Sequence, residues 1–342
     1  MEKMISKIKC STPRINDDKG KTVRGSIAKL EKIVINKSKQ TILIRSWNKN
    51  NPILLFLHGG PGCSEMGLMR HFNSELEKHF IVVNWDQRGT CKSFNAGKNA
   101  KDKMNIKQFV EDTYVLVKKL KKRFNKNKVY LMGHSWGTII GVLFAKKYPK
   151  ELHAYIGVSQ VVNMMEVEKI ADKFIKKQAK KTKTLEALKE IKSVELLMPH
   201  IGEDYLKRVS VKRKWIQYFG GSFHGEKNLD HLMQIMIKCP EYNLMDIANY
   251  LRGSNLSTLK LWRDIIRIDF TKQVKELKVP VFLLQGKQDY QTPLKLVKKY
   301  FNLLDAPKKK LVLFNKSAHN PLYEESHKFN EVLRNIPNKS FQ

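Results

Sequence analysis

The 342-residue sequence predicts an α/β protein with a mostly parallel central sheet and a long helical insertion. Short, continuous apolar runs, such as residues 53–57 and 129–132, suit strands that are buried on both faces. These runs alternate with helical patterns, which is typical of βαβ units and a parallel sheet. From about residue 160 to about residue 270 the strand pattern is absent, and it then resumes.

Each predicted strand is a short apolar or β-branched run bounded by polar or glycine-rich turns. In chain order the strands are expected at residues 27–35, 41–47, 53–57, 80–84, 129–132, 155–158, 279–284 and 310–314. Residues 106–124 carry apolar side chains at helical spacing and end in lysine and arginine, which suits the helix dipole. Further core helices are expected at residues 138–148, before Pro149, and at 293–304 and 322–336.

The change of pattern divides the chain. We expect the core to comprise residues 1–159 and 271–342, with residues 160–270 inserted as a helical lid. Within the insertion, helical patterns occupy residues 166–197, 212–219, 229–239 and 256–268.

The amino-acid composition limits the classes of protein to which the chain can belong. Apolar residues make up 42% of the chain, and no run approaches the roughly 20 apolar residues of a membrane helix. The first ten residues lack the apolar region of a secretory signal, so we expect a soluble, cytoplasmic protein. Four cysteines, Cys10, Cys63, Cys91 and Cys239, show no metal-ligand spacing, and we expect free thiols and no metal site.

The chain is strongly basic. Its net charge of +33 would attract polyanions such as nucleic acid or anionic lipid. However, the lysines are spread along most of the chain, and no arm or basic-aromatic stripe resembles a nucleic-acid module. We therefore expect no specific nucleic-acid partner, while polyanion binding by the Lys-rich insertion stays open as an additional property.

The sequence Gly133-His134-Ser135-Trp136-Gly137 lies between a predicted strand and a predicted helix. This is the context of the G-x-S-x-G nucleophile elbow, whose strained turn exposes a serine at the carboxyl end of a sheet. Because the turn is so tight, a side chain at either glycine would clash. The motif predicts the α/β-hydrolase fold, with Ser135 as the nucleophile and the N–H of Trp136 facing a developing oxyanion.

A second glycine-rich turn, His58-Gly59-Gly60-Pro61-Gly62, follows the strand predicted at residues 53–57. Consecutive glycines expose backbone N–H groups, and acyl transfer needs a second oxyanion donor beside Trp136. We assign that role to Gly60, with Gly59 as the alternative. His58 is expected to be a structural residue of the loop.

A serine hydroxyl needs an adjacent base, and in this fold the partners follow in the order Ser, Asp, His. His319 comes directly after the last predicted strand and is the candidate base. Asp289 follows the strand at residues 279–284 and is the candidate that orients His319, with Asp305 as its competitor. The other downstream histidines are less suitably placed: His153, His200, His224, His231 and His327.

Several motifs resemble the proline iminopeptidase group of α/β-hydrolases, serine peptidase family S33. They are HGGPG at residues 58–62, WDQRG at 85–89, GHSWG at 133–137, D-x-x-x-P at 289–293 and the late His319. The resemblance covers the core on both sides of the insertion. It implies a cofactor-free hydrolase that removes an N-terminal residue, often proline, from peptides or cleaves related amides and esters. We expect the charges of Asp86 and Arg88 in the second motif to hold a loop rather than to act in the chemistry.

The resemblance also implies lid glutamates that hold the substrate amine, one of them in a W-x-x-W-E-like segment. This chain departs from that pattern, because Trp215 and Trp262 stand alone and neither is followed by Glu. Glu203, Asp204 and Glu241 are the candidate acids, so the substrate-binding residues stay open.

Together these features predict acyl transfer by Ser135, His319 and Asp289. The most consistent activity is that of an aminopeptidase that releases N-terminal residues from small peptides or amides. A carboxylesterase or amidase acting on small acyl substrates is the alternative. A basic binding protein on a catalytically inactive scaffold is a second alternative.

Overall fold

The computed structural model describes residues 10–95, 97, 104–195, 203–226 and 228–338. Within them, eight strands form one sheet: β1 Ile27–Ile35, β2 Ser38–Ser46, β3 Ile53–Leu57, β4 Ile81–Asp86, β5 Val129–His134, β6 Leu152–Val158, β7 Val281–Gly286 and β8 Lys309–Phe314. Their order across the sheet is β1-β2-β4-β3-β5-β6-β7-β8. Strand β2 is antiparallel to both neighbours, whereas β3 to β8 are parallel. The predicted α/β fold with a mostly parallel sheet is confirmed.

Helices flank the sheet and fill the stretch between β6 and β7. In the described part of the chain they are α1 Met66–Phe72, α2 Ile106–Phe124, α3 Trp136–Lys147, α4 Met164–Lys181, α5 Leu185–Glu195, α6 Glu203–Tyr218, α7 Asp230–Lys238, α8 Leu244–Ile265, α9 Phe270–Gln273, α10 Leu294–Leu303, α11 Pro321–Glu324 and α12 Ser326–Asn335. The helix predicted at residues 322–336 is therefore two helices, and α1 was not predicted.

The central strands are buried on both faces, as their continuous apolar sequences predict. In β3, Ile53, Leu55 and Leu57 pack into one hydrophobic cluster, whereas Leu54 and Phe56 pack into the cluster on the opposite face. Full burial of such a side chain contributes roughly 1.5–3 kcal/mol. This double packing fixes the register of the strands, and so the positions of the loops that leave them.

The chain between β6 and β7 is helical, and among its described residues none belongs to the sheet. Domain boundaries at residues 160 and 270 stay a prediction. The single helical stretch expected over residues 166–197 is instead α4 and α5, separated at Thr182 to Thr184, where Lys183 has a positive φ of 55°. Residues 196 and 197 lie outside the described residues.

Helix α8 begins twelve residues before the expected start at residue 256, and this prediction was wrong. Asn243 and Asp246 form a capping box, in which each side chain accepts a hydrogen bond from the other residue's backbone N–H. The cap stabilises a first half that contains weak helix formers such as Gly253 and Asn255. None of the helices in the described ranges is both long and apolar enough to cross a membrane.

The topology brings four loops to one edge of the sheet. Strands β3, β5, β7 and β8 run parallel, so their carboxyl ends lie on the same side. The loops that leave these ends carry Gly60, Ser135, Asp289 and His319 respectively. Crevices at the carboxyl ends of parallel strands are the usual ligand sites of open α/β sheets.

Candidate active site

Ser135 occupies a strained turn between β5 and α3. Its φ of 51° and ψ of −116° lie outside the common regions for a residue with a side chain. A Cβ atom on Gly133 would lie 2.4 Å from the carbonyl oxygen of Gly137, and one on Gly137 would lie 2.1 Å from that of Leu57. The predicted requirement for both glycines is confirmed. The turn leaves Ser135 at the wall of a cavity.

The structure brings His319 and Asp289 together. The Nδ1 of His319 lies 2.9 Å from the Oδ2 of Asp289, and both side chains are buried. Asp289 also accepts hydrogen bonds from Gln285 Nε2, the Thr292 hydroxyl and the N–H groups of Gln291 and Thr292. Burial alone would raise the pKa of Asp289, but the interaction with His319 and the hydrogen bonds from Thr292 outweigh burial and lower it.

The hydrogen bonds define the form of His319. Because Asp289 is an ionised acceptor, Nδ1 carries the proton and Nε2 keeps a lone pair. Burial lowers the pKa of His319, although Asp289 acts in the opposite direction, so the ring favours the neutral form that a base needs. In this structure no hydrogen bond joins Ser135 and His319 within the described chain. Such bonds in ligand-free enzymes are often long and tighten with substrate.

Asp305, the competing acid, lies elsewhere. Its backbone N–H donates to the carbonyl oxygen of Lys275, and it forms a short parallel bridge with Glu276. The histidine Nδ1 faces Asp289 instead.

Two cavities meet at Ser135. The larger one encloses about 490 Å³, is bordered by both Ser135 and His319, and has a size typical of a small-molecule site. The smaller one, of about 20 Å³, is bordered by Ser135, Gly60 and Trp136. A space of that size accommodates a single small group, such as a water molecule or a carbonyl oxygen.

The hydrogen bonds distinguish between Gly59 and Gly60 as the oxyanion donor of the glycine-rich turn. The N–H of Gly59 donates to Oε2 of Glu65 at 2.7 Å and is therefore already used. Among the described residues, the N–H groups of Gly60 and Trp136 have no acceptor. This arrangement favours Gly60 over Gly59 as the donor beside Trp136.

A buried ion pair that the sequence did not predict links these loops. Glu65 Oε1 lies 2.8 Å from Nδ1 of His134, and Nε2 of His134 lies 3.0 Å from the backbone oxygen of His319. Both ring nitrogens of His134 face acceptors. Only the protonated ring, the imidazolium, carries an N–H on each nitrogen and can donate to both. Burial alone would lower the pKa of His134, but the carboxylate of Glu65 outweighs burial and raises it. The pair thus ties the turn containing Gly59 to the loop that carries His319.

His58 and Gln87 hold the glycine-rich turn against the elbow. His58 Nε2 accepts from the N–H of Gln87, so Nδ1 carries the proton that it donates to the Gly59 carbonyl oxygen. Burial lowers the pKa of His58 to about 4, and the ring is neutral near pH 7. The side chain of Gln87 accepts from the indole N–H of Trp136. These contacts are those of a structural histidine.

The charges of Asp86 and Arg88 do not pair with each other. Asp86 accepts hydrogen bonds from the hydroxyls of Ser64 and Tyr242, and Arg88 pairs with Asp112. Burial raises the pKa of Asp86 to about 6. The expectation that these charges hold loops stands, but each does so through a different partner.

Residues 48–326 match the family model described as "Serine aminopeptidase, S33". The chain belongs to the S33 family of α/β-hydrolases. It is 33% identical over 312 residues to the probable aminopeptidase YbaC of Bacillus subtilis (strain 168), with coverage of 90% of this chain and 96% of the relative. It is 27% identical over 287 residues to the proline iminopeptidase of Heyndrickxia coagulans, with coverage of 83% and 90%.

Solved structures share the fold of this S33 hydrolase. A proline iminopeptidase-related protein from Thermus thermophilus superimposes with a TM-score of 0.66 at 16% identity, covering 90% of this chain and 96% of that chain. The proline iminopeptidase of Mycobacterium smegmatis gives a TM-score of 0.65 at 16% identity, with coverage of 90% and 97%. The resemblance stated from the motifs is confirmed.

One of the three acids expected to bind the substrate amine, Glu241, does not lie at the cavity of this S33 hydrolase. Glu241 is completely buried against Arg70 and Cys239 and does not border the cavity. The side chains of Glu203 and Asp204, like His200, lie outside the described part of the structure. Among the described lining residues, the only carboxylate belongs to Glu65. The described residues contain no group of three or more His, Cys, Asp or Glu side chains that could hold a metal ion.

Cys63 offers a first test of the cavity. From its place after the glycine-rich turn, the sequence predicts that bulky thiol reagents slow the S33 enzyme. The thiol borders the cavity 3.2 Å from the Ser254 hydroxyl, and burial raises its pKa. Since the thiolate is the reactive form, we expect inactivation by N-ethylmaleimide to be slow at pH 7 and to accelerate with pH. Equal inactivation rates for the wild type and Cys63→Ser would show that another residue is responsible.

Proposed function

We propose that this S33 hydrolase is an aminopeptidase that cleaves small peptides or amides by acyl transfer through Ser135, His319 and Asp289. The observation that carries the proposal is the hydrogen-bonded Asp289–His319 pair beside Ser135 at one cavity. Its relatives named aminopeptidase and proline iminopeptidase support it. We place the protein in the cytoplasm and treat residues 160–270 as a cap over the site.

The proposed reaction starts when Ser135 Oγ attacks the carbonyl carbon and His319 Nε2 takes the hydroxyl proton. Asp289 stabilises the resulting imidazolium, and the N–H groups of Trp136 and Gly60 stabilise the oxyanion. His319 then gives the proton to the leaving nitrogen as the C–N bond breaks. Water, activated by His319, attacks the acyl-serine, and the second product leaves as a carboxylic acid.

Glu65 is our candidate for the group that receives the substrate amine. A carboxylate has about four acceptor sites. The carboxylate of Glu65 already accepts three hydrogen bonds, from Gly59, His134 and Tyr323. The remaining site is available to an ammonium group in the cavity. Burial alone would raise the pKa of Glu65, but the charge of His134 outweighs burial and lowers it, so the carboxylate stays ionised.

The enzyme should therefore prefer substrates that have a free N-terminal amine. We expect aminoacyl-2-naphthylamides, including the prolyl derivative, to be cleaved at least about tenfold faster in kcat/KM than the same compounds N-acetylated. The reason is that acetylation removes a charge-assisted hydrogen bond to Glu65. Ser135→Ala provides the background rate. Equal rates for free and acetylated compounds would contradict the aminopeptidase assignment while leaving the serine chemistry intact.

The walls of the cavity favour a second candidate, a carboxylesterase or amidase. Many lining side chains are apolar, which suits an acyl chain: Leu68, Val209, Phe223, Leu232, Met236 and Ile247. If this candidate is correct, p-nitrophenyl esters of unsubstituted short acids will be cleaved with kcat/KM values above those of the corresponding aminoacyl amides.

A further inference from the structure

An arginine borders the cavity at Ser135. Among its described lining residues, Arg213 of α6 is the only Lys or Arg, and it also borders the smaller cavity beside Gly60 and Trp136. It therefore borders both of the cavities that Ser135 borders. A half-buried guanidinium at this point is not needed by the proposed serine chemistry, so its presence calls for a physical explanation.

Arg213 has no acidic partner among the residues that the structure describes. Its Nη1 donates to Oε1 of Gln291 at 2.5 Å, and no Asp or Glu of the described residues forms an ion pair with it. Of the five N–H donors of a guanidinium, most are therefore available to a ligand. A partly buried charge without a counterion costs free energy, which a bound anion would offset.

The guanidinium is held in place by the loop that carries Asp289. Gln291 donates through its backbone N–H to Asp289 and through its side chain to the Ser222 hydroxyl. The Ser222 carbonyl oxygen in turn accepts from the N–H of His319. Arg213 is thus fixed relative to the proposed catalytic residues, which reduces the entropy lost when a ligand binds.

The anion that fits this position is a carboxylate close to the bond being cleaved. In a dipeptide, only two bonds of about 1.5 Å separate the scissile nitrogen from the carboxylate carbon. Each additional residue moves the carboxylate about 3.3–3.6 Å further away. Resting on the proposed aminopeptidase function, we infer that Arg213 binds the carboxylate of the leaving amino acid, which makes dipeptides the preferred substrates.

Binding to the Ser135→Ala protein tests this inference without turnover. The ligands are one dipeptide, its C-terminal amide and the tripeptide with one more residue, measured by calorimetry. We expect the dipeptide to bind about 10- to 100-fold more tightly than the other two, the range of a charge-assisted bidentate contact. In the double variant with Arg213→Gln this preference should disappear. Arg213→Lys should keep part of the preference, because a lysine retains the positive charge but lacks the planar pair of N–H donors that an arginine presents to a carboxylate.

Lys207 supplies the matched control. It is exposed on the same helix and does not border the cavity, so Lys207→Gln removes one positive charge without touching the proposed site. The dipeptide preference should survive in this variant. Equal affinities for the dipeptide and its amide, or a preference that persists in Arg213→Gln, would overturn the inference. Failure of the aminopeptidase proposal would appear separately, as N-acetylated and free aminoacyl naphthylamides cleaved equally by the wild type.

Discussion

Replacing Ser135 with alanine is expected to lower kcat by about 10⁴- to 10⁶-fold on any substrate that the wild-type protein cleaves. Removing the proposed nucleophile should leave only the residual rate that binding and oxyanion stabilisation provide. The fold should be preserved, because the Ser135 side chain makes no hydrogen bond in the described structure. Steady-state kinetics and a thermal melt of the purified variant measure both effects.

A second serine provides the control, because its replacement by alanine shows whether losing a serine hydroxyl away from the cavity affects kcat. Ser193 is exposed in α5, where its hydroxyl bonds to the Glu190 carbonyl oxygen. Ser193→Ala should retain the wild-type kcat. Activity in Ser135→Ala within about tenfold of the wild type would rule out Ser135 as the nucleophile.

Replacing Glu65 with glutamine is expected to destabilise the protein by about 3–5 kcal/mol, the usual cost of breaking a buried ion pair by removing one partner. Glu65 and His134 are both buried, so without the carboxylate the His134 ring must either stay charged without a counterion or lose a proton and one of its two hydrogen bonds. The free energy of unfolding, from urea denaturation monitored by circular dichroism, measures the loss. A double-mutant cycle with His134→Gln isolates the pair, because the double variant should lose less than the sum of the single variants.

The loss should depend on pH in a defined direction. The pKa of His134 is raised, so its contribution to stability is full below its ordinary value of 6.5 and is lost as pH rises through the folded pKa. The pKa of Glu65 is lowered, so its contribution is full above its ordinary value of 4.5 and is lost as pH falls through the folded pKa. The gap between the wild type and Glu65→Gln should therefore be largest between pH 4.5 and 6.5. A gap that widens steadily above about pH 7 would exclude this ion pair as its source.

The same pair should affect the proposed base. The rings of His134 and His319 lie 5.1 Å apart, and the charge of His134 lowers the pKa of His319 in addition to the effect of burial. His134→Gln should therefore move the acidic limb of the kcat/KM profile to higher pH. His327→Gln, which removes an exposed histidine of α12, should leave the profile unchanged.

Local patterns were sufficient to predict the parts of the site that lie within one motif. The elbow around Ser135 is defined by glycines whose added Cβ atoms would meet backbone about 2 Å away. Because this steric requirement is local, the five residues of the motif are enough to predict the turn. Chain order then selected Asp289 and His319, since parallel strands deliver their following loops to one edge.

Contacts between motifs were not predictable in the same way. Glu65 and His134 each lie in or beside a predicted motif, but their pairing joins residues 69 positions apart. Likewise, the sequence does not indicate that Gly59 donates to Glu65, which leaves Gly60 as the favoured oxyanion donor. For α8, the Asn243–Asp246 capping box was a signal that could have located the start, but weak helix formers within the helix hid it.

Labelling with a fluorophosphonate probe tests the central claim most directly, because the probe reacts with a serine activated by a neighbouring base and needs no knowledge of the substrate. Peptide mass spectrometry after labelling should show one adduct per chain, on the peptide containing Ser135, with Ser135→Ala unlabelled. His319→Ala should be labelled much more slowly, since the base is removed. A folded wild-type protein that stays unlabelled, or that is labelled on a different serine, would contradict the assignment of Ser135 as the nucleophile.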